Sequence, residues 1–346
     1  MSWTSPSYSK GAINRAGRTL ASGNDSYLDV LEAYDILNNW RSSHAFPLNT
    51  IQMNLRRTVG KYTNDFVVAQ RLKRVPSIVD KIKRYPKMEL ARMQDIGGCR
   101  AILPNVKQAE EVLIYYMAIS NVKHEIVRHD DYISNPQASG YRGAHLVFRY
   151  NSDKVEIYNG FHVEMQLRSR FQHAWATAVE TVDLFRKYSL KSSRGPDGWL
   201  RFFALMGSAF AQLERRPGVP NTPKTQKELH QEIADLSMRL DVVGTLSMYG
   251  AAINITDQQR VATGDYYLIV LDPLSRKLNV KPFKQYELEK ANSEYTQLEQ
   301  ELSSNHEIVL VKAGSVDNLR LAYPNYFLDT SVFLMYLKRY TKIKPN

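Results

Sequence analysis

Apolar positions recur at helical spacing near the start of the chain. In residues 26–43, SYLDVLEAYDILNNWRSS, Tyr27, Val30, Leu31, Tyr34, Leu37 and Trp40 share one helical face, and Ser26 supplies a cap oxygen. After Pro47, residues 48–61 predict a second helix that ends near Gly60. The period then shortens to two. Strands are predicted at 67–75, 98–103, 125–131, 145–150 and 163–168, with helices at 77–84, 106–118 and 170–185 between and after them. Strands interleaved with helices predict an α/β layer structure. A loop at 191–198 precedes an apolar helix at 199–214, and the proline-rich RRPGVPNTPKTQ at 215–226 reads as a linker. Beyond it the pattern predicts a helix at 227–249, strands at 266–272 and 277–283, a helix at 285–304, a strand at 308–311 and two short helices around PNYFLDT. The expected organisation is an N-terminal helical region (1–60), an α/β core (61–190), a helix and linker (191–226) and a smaller C-terminal α/β domain (227–346).

Composition adds a partner class. The 346 residues include 46 Lys or Arg and 35 Asp or Glu, a formal charge of +11. Residues 1–225 hold 32 basic and 20 acidic side chains, whereas residues 226–346 are nearly balanced at 14 and 15. Within residues 51–100 there are twelve basic and four acidic side chains, so a polyanion such as a nucleoside triphosphate or RNA is the natural partner of that segment, the alternative being a solvated basic face. A single cysteine, Cys99, excludes an internal disulfide and a CxxC zinc site. The first residues lack the apolar core of a secretory signal, and the most apolar stretch, 200–213, is short for a bilayer and carries Arg201. The expectation is a soluble, cytoplasmic protein without a membrane partner.

Four stretches carry candidate chemistry. In QRLKRVPSIVDKIKR (70–84), Pro76 keeps Val75 extended and starts a helix, so Arg71 and Lys73 share a strand face while Ser77 and Lys81 lie one helical turn apart. Those cations and a helix N-terminus suit a polyphosphate, although taken alone the segment reads first as an ordinary amphipathic one with solvated lysines. In MQDIGGCRAIL (93–103), Asp95 is a metal candidate and Arg100 a phosphate candidate, although an Asp before Gly-Gly is also ordinary turn chemistry. HVEMQLRS (162–169) alternates with Val163, Met165 and Leu167 on one face and Glu164, Gln166 and Arg168 on the other. Glu164 brought near Asp95 would make a two-carboxylate Mg²⁺ site; otherwise the polar face is simply the wet side of an edge strand. In DYISNPQASGYRGAH (131–145), Tyr141 offers a ring for base stacking, and Arg142 and His145 add donors; the alternative is a loop with an aromatic plug.

In order and spacing, R-x-K-x-x-x-S-I-x-x-K, D-I-G-G-x-R, D-Y-I-x-x-P-x-x-x-G-Y-R-x-x-H and V-E-M-Q-L-R-S closely resemble the synthetase domain of the RelA/SpoT alarmone synthetases, over roughly residues 60–185. The resemblance implies a mixed β-sheet flanked by helices, related to nucleotidyltransferases. It implies a pyrophosphokinase that moves the β,γ-pyrophosphate of Mg·ATP to a ribose 3′-hydroxyl and releases AMP. By motif position, Arg71, Lys73 and Lys81 would hold ATP phosphates with Ser77 beside them, and Arg100 would help bind ATP. Asp95 and Glu164 would hold Mg²⁺, Glu164 also being the candidate base. Tyr141 would stack on the acceptor base, and His145 would lie near the acceptor phosphates with Arg142 and Gln137 in the same loop. Gln137 is a departure, since many nucleotide-acceptor members carry lysine after this proline. Glu180 is left a weak supporting role. The paired His and Asp residues of the family's hydrolase half are absent, and no TGS domain is recognisable, so synthesis without degradation is expected.

Three functions follow. The first is alarmone synthesis on a guanosine or adenosine nucleotide. The second is a toxin that pyrophosphorylates the 3′ CCA end of tRNA, favoured by Gln137 and the basic first part. The third is an inactive RNA-binding or interaction module. Residues 227–346 carry no motif; they read either as a packing or dimerisation domain, making a homo-oligomer, or as a regulatory domain relieved by a trigger protein. In the regulatory reading, Tyr323 and Tyr326 of AYPNYFLDT are candidates to plug the adenine site.

Overall fold

A computed structural model of the chain describes residues 3–23, 25–186, 190, 195–250, 254–255, 264–272, 274–275, 277–302, 306–313, 316–327 and 329–341. Three helices come first: α1 (Lys10–Ser22), α2 (Tyr27–Ser43) and α3 (Ala45–Val59). The pattern did not predict α1, which buries only four residues and owes its ends to local chemistry. The Ser9 hydroxyl accepts from the Ala12 N–H, and Gly23 closes the helix at φ +70°. Pro47 does not break the chain as expected. It lies in the first turn of α3, where a missing N–H costs nothing, so the helix begins ahead of it.

The core follows as β1 (Val67–Leu72), α4 (Val75–Arg84), β2 (Gly97–Leu103), α5 (Val106–Ile114), β3 (Glu125–Asp131), β4 (Ala144–Arg149), β5 (His162–Ser169) and α6 (Arg170–Arg186). The strand predicted to reach residue 75 stops at Leu72, and Val75 is already helical, with Arg74 as the last extended residue. A Glu299 carboxylate oxygen accepts from the Val75 N–H at 3.2 Å, which favours that earlier helix start. The predicted helix at 106–118 ends as α5 followed by a π-helical turn, Tyr115–Ile119.

The remaining elements are α7 (Asp197–Leu213), α8 (Gln226–Arg239), α9 (Val242–Gly250), β6 (Asn254–Ile255), β7 (Tyr266–Asp272), β8 (Lys277–Phe283), α10 (Leu288–Glu301), β9 (Glu307–Lys312), α11 (Val316–Ala322) and α12 (Ser331–Thr341). The loop expected at 191–198 lies half outside the described residues. The helix expected at 227–249 is two, because Asp241 takes φ +46° and its carboxylate then accepts from the Gly244 N–H.

Among the described residues the strands form one mixed nine-stranded sheet, in the order β3-β4-β5-β2-β1-β9-β7-β8-β6. β2 runs parallel to β5 and antiparallel to β1, and β9 extends the core sheet beyond β1 through Gln70↔Lys312 and Arg71↔Val311. One face of the core strands presents Val68, Ala101, Val163, Met165, Leu167 and Leu146 to apolar side chains of α3 and α5. Against another part of the molecule, α6–α9 and α12 enclose an aromatic core that includes Trp175, Phe202, Phe203, Phe210 and Phe333. The loop between β3 and β4 is held against α7 by two glycines. A Cβ on Gly140, itself at φ +96°, would lie 2.5 Å from the Phe203 carbonyl, and one on Gly207 would lie 2.6 Å from the Gly140 carbonyl.

Candidate active site

Residues opposite one another on paired strands project to the same side of a sheet. The register sets Arg71 opposite Gly98 and Gly98 opposite Glu164, so one row across the sheet is cation, no side chain, carboxylate. The next row places Arg100 opposite Gln166 and Gln166 opposite His145. Where the glycine leaves space, a cleft of about 190 Å³ opens, lined among others by Arg71, Lys73, Asp95, Arg100, Glu164 and Gln166.

Asp95 comes from the turn ahead of β2. One of its oxygens accepts from Lys73 Nζ at 2.8 Å and the other from Lys81 Nζ at 2.9 Å, so the end of β1 and the helix α4 are both tied to it. Burial pushes the Asp95 carboxyl upward, but the two ammonium groups outweigh it and hold the pKa below its ordinary value. Glu164 faces His145, with 3.2 Å from Nδ1 to Oε1, and its Oε2 accepts from Gln166 Nε2 at 2.7 Å. Against the cost of burial, these partners lower the Glu164 pKa to about 2. Burial disfavours charge on His145 too, but Tyr141 and Glu164 outweigh it and raise its pKa to about 9. The pair is therefore imidazolium and carboxylate at neutral pH.

Arg71, Lys73, Lys81, Asp95, Arg100, Glu164 and His145 are thus brought together. Ser77 is half-buried in the first turn of α4 and does not line the cleft. Gln137 is held in a tight turn, its N–H donating to the Tyr141 carbonyl at 3.1 Å and its carbonyl accepting from the Gly140 N–H at 2.9 Å. Arg142 points into the α7 side of the molecule, where Nη1 pairs with Glu214 at 2.6 Å and both side chains are almost fully buried. Tyr141 is buried, edge-on to Tyr132, His145 and Trp175. Glu180 lines a second polar cavity of about 350 Å³, which shares Arg71 with the cleft. Gln166 and Arg168 were assigned no role from the sequence, although their alternation with Glu164 put them on its face.

The segment after α11 roofs the cleft. The Arg100 guanidinium lies 5.0 Å from the Tyr323 ring centre, and Arg71 Nη1 donates to the Tyr326 hydroxyl at 3.2 Å. Both tyrosines are buried. As for a metal, no cluster of three or more His, Cys, Asp or Glu side chains occurs among the described residues. Two carboxylates facing one cationic cleft are nevertheless the donor set that suits Mg²⁺ when substrate phosphates and water complete its shell. No helix among the described residues is long and apolar enough to cross a membrane.

Residues 70–188 match the family model described as "Region found in RelA / SpoT proteins". The chain is 32% identical over 139 residues to the GTP pyrophosphokinase YjbM of Bacillus subtilis, a stretch covering 38% of this chain and 64% of that protein. It is 26% identical over 233 residues to the uncharacterized protein Rv1366 of Mycobacterium tuberculosis, covering 65% of this chain and 76% of the relative. Among solved structures, small alarmone synthetase 1 of Bacillus subtilis bound to its product pppGpp aligns with 27% identity and a TM-score of 0.40, over 49% of this chain and 88% of that one. Residues 70–188 thus carry the region found in RelA/SpoT proteins, and the chain spans just under two thirds of the length of the curated pyrophosphokinase it matches.

Proposed function

We propose that this protein is an ATP-dependent pyrophosphokinase that transfers the β,γ-pyrophosphate of ATP to the ribose 3′-hydroxyl of a nucleotide. The observation that carries the reading is the convergence of Arg71, Lys73, Lys81, Asp95, Arg100 and Glu164 around one cleft. The acceptor oxygen attacks the β-phosphorus, the bond from that phosphorus to the oxygen bridging the α-phosphate breaks, and AMP leaves. Such a transfer relies on positioning and charge neutralisation more than on covalent chemistry by the protein. Arg71, Lys73 and Lys81 supply the cations for the donor phosphates, and Arg100 offers a flat guanidinium for the adenine end. Asp95 and Glu164 would hold Mg²⁺, which neutralises phosphate charge when bound. A Glu164 carboxyl near pKa 2 is better suited to holding a cation than to taking a proton, so its service as base to the 3′-hydroxyl is the weaker of its two roles.

In this reading the C-terminal segment restrains the enzyme. Tyr323 and Tyr326 engage Arg100 and Arg71, the side chains that ATP would need, so donor binding requires the segment to leave. A trigger protein acting on the C-terminal domain is one way to move it. A second acceptor, the 3′ end of tRNA, is favoured by Gln137 in place of a lysine and by the basic first 225 residues. The test is to incubate the full chain with Mg²⁺ and γ-labelled ATP, offering GDP, GTP, ADP, ATP and deacylated tRNA separately, with Glu164→Gln as blank. Label on a mononucleotide supports alarmone synthesis, and label on tRNA moves the reading to a translation-blocking toxin. No label with any acceptor, including in a Tyr323→Ala variant, rejects the activity.

A further inference from the structure

Glu164 belongs to a closed circuit of hydrogen bonds. Gln166 Nε2 donates to Glu164 Oε2 at 2.7 Å, and Arg168 Nη2 donates to Gln166 Oε1 at 2.8 Å. The same Arg168 nitrogen reaches the Tyr141 hydroxyl at 3.1 Å. Tyr141 meets His145 Nε2, and His145 Nδ1 returns to Glu164 Oε1 at 3.2 Å. We propose that Gln166 and Arg168 are positioning residues which, through this ring with Tyr141 and His145, aim the Glu164 carboxylate at the reacting centre. The inference rests on the pyrophosphokinase reading for the identity of that centre.

The geometry favours this over a packing role. Glu164, Gln166 and Arg168 are successive side chains on one face of β5, so a rigid strand sets their spacing. Each carboxylate oxygen accepts one bond within the ring, which fixes the plane of the group while leaving further lone pairs for the cleft. Arg168 is 2% exposed, and its Nε and Nη1 have no hydrogen-bond partner among the described residues. A guanidinium buried with three of its five N–H donors unmet is a poor choice for filling space, since an apolar side chain of similar volume would avoid the desolvation cost. Its one well-used nitrogen is the one that closes the ring.

The experiment compares Gln166→Leu, Arg168→Met and Arg168→Lys in the full chain, reading kcat and the KM for ATP separately. Because misplacement of a reacting group by about 1 Å costs about 10²-fold, Gln166→Leu and Arg168→Met should lower kcat by that order and leave the KM for ATP within about twofold. Arg168→Lys keeps a donor able to reach Tyr141 or Gln166 and should regain part of the loss. An unchanged kcat in Gln166→Leu overturns the proposal, as does a loss in both Arg168 variants that follows only their loss of folded protein. If neither the unmodified chain nor Tyr323→Ala transfers pyrophosphate, the underlying reading fails first. The ring is then judged by the crystal structure of Gln166→Leu, where a carboxylate displaced from its place beside His145 supports it and an unmoved one contradicts it.

Discussion

The two faces of β1, β2, β4 and β5 are made by the same strands and do opposite work. On one, Val68, Ala101, Met165, Leu167 and Leu146 are packed against α3 and α5. On the other, Arg71, Arg100, Glu164, Gln166 and His145 meet around a cleft, and the cost of burying them is offset only by their partners. Strict alternation is what allows one strand to be both scaffold and site. The dry face holds the backbone register to within the tolerance that the wet face needs, because a slip of one residue would exchange the two sets.

The comparison breaks if damage to either face has the other's consequence. Met165→Ala should cost about 2–5 kcal/mol of stability in denaturant unfolding, through the cavity it leaves, while kcat per folded molecule stays near its original value. A fall in kcat with unchanged stability would show that the dry face also takes part in the chemistry. Glu164→Gln should do the reverse, lowering pyrophosphate transfer by about 10²–10³-fold with the fold retained by circular dichroism. Next in size is Tyr323→Ala, which removes the ring beside Arg100. It should tighten the apparent affinity for a non-hydrolysable ATP analogue by about tenfold in calorimetry, as the competent fraction of molecules rises. Weaker binding would mean that Tyr323 builds the nucleotide site and does not cover it.

The smallest effect is on pH. His145 has its pKa raised from 6.5 to about 9, so its contribution is full below pH 6.5 and is lost as pH climbs through 9. Glu164 has its pKa lowered from 4.5 to about 2, so its contribution is full above pH 4.5 and is lost as pH falls through 2. The difference in thermal midpoint between the parent chain and Glu164→Gln should therefore be greatest between pH 4.5 and 6.5 and shrink on both sides. A difference that does not vary with pH would show that the ion pair adds nothing to the folded state.

Much of this was legible in the sequence because it is local. The alternation of Val163, Met165 and Leu167 with Glu164, Gln166 and Arg168 forecasts both faces of β5, and the helix signals of α2 and α6 need no distant partner. Failures have local causes as well: the helical period of α1 runs through Ile13, Ala16, Gly17 and Leu20, two of which are too small to stand out as apolar, and the left-handed turn at Asp241 divides a helix that looks continuous. What is not legible is pairing over long separations. Nothing near Arg71 in sequence indicates that Val311 lies beside it in the sheet, and no pattern around Arg142 indicates its pairing with Glu214 rather than a place in the cleft. The hydrogen-bond ring falls between these cases, since alternation puts three of its members on one face while only the fold brings Tyr141 and His145 to meet them.

The central claim is that the charged face transfers pyrophosphate as a unit. The most direct measurement is the adenine product formed from ATP by the full chain with a mixture of nucleotide and tRNA acceptors, beside Glu164→Gln and Tyr323→Ala. AMP formed in step with labelled acceptor, lost in Glu164→Gln and increased in Tyr323→Ala, is the predicted result. Formation of ADP instead of AMP, or of neither in any of the three proteins, would contradict the account.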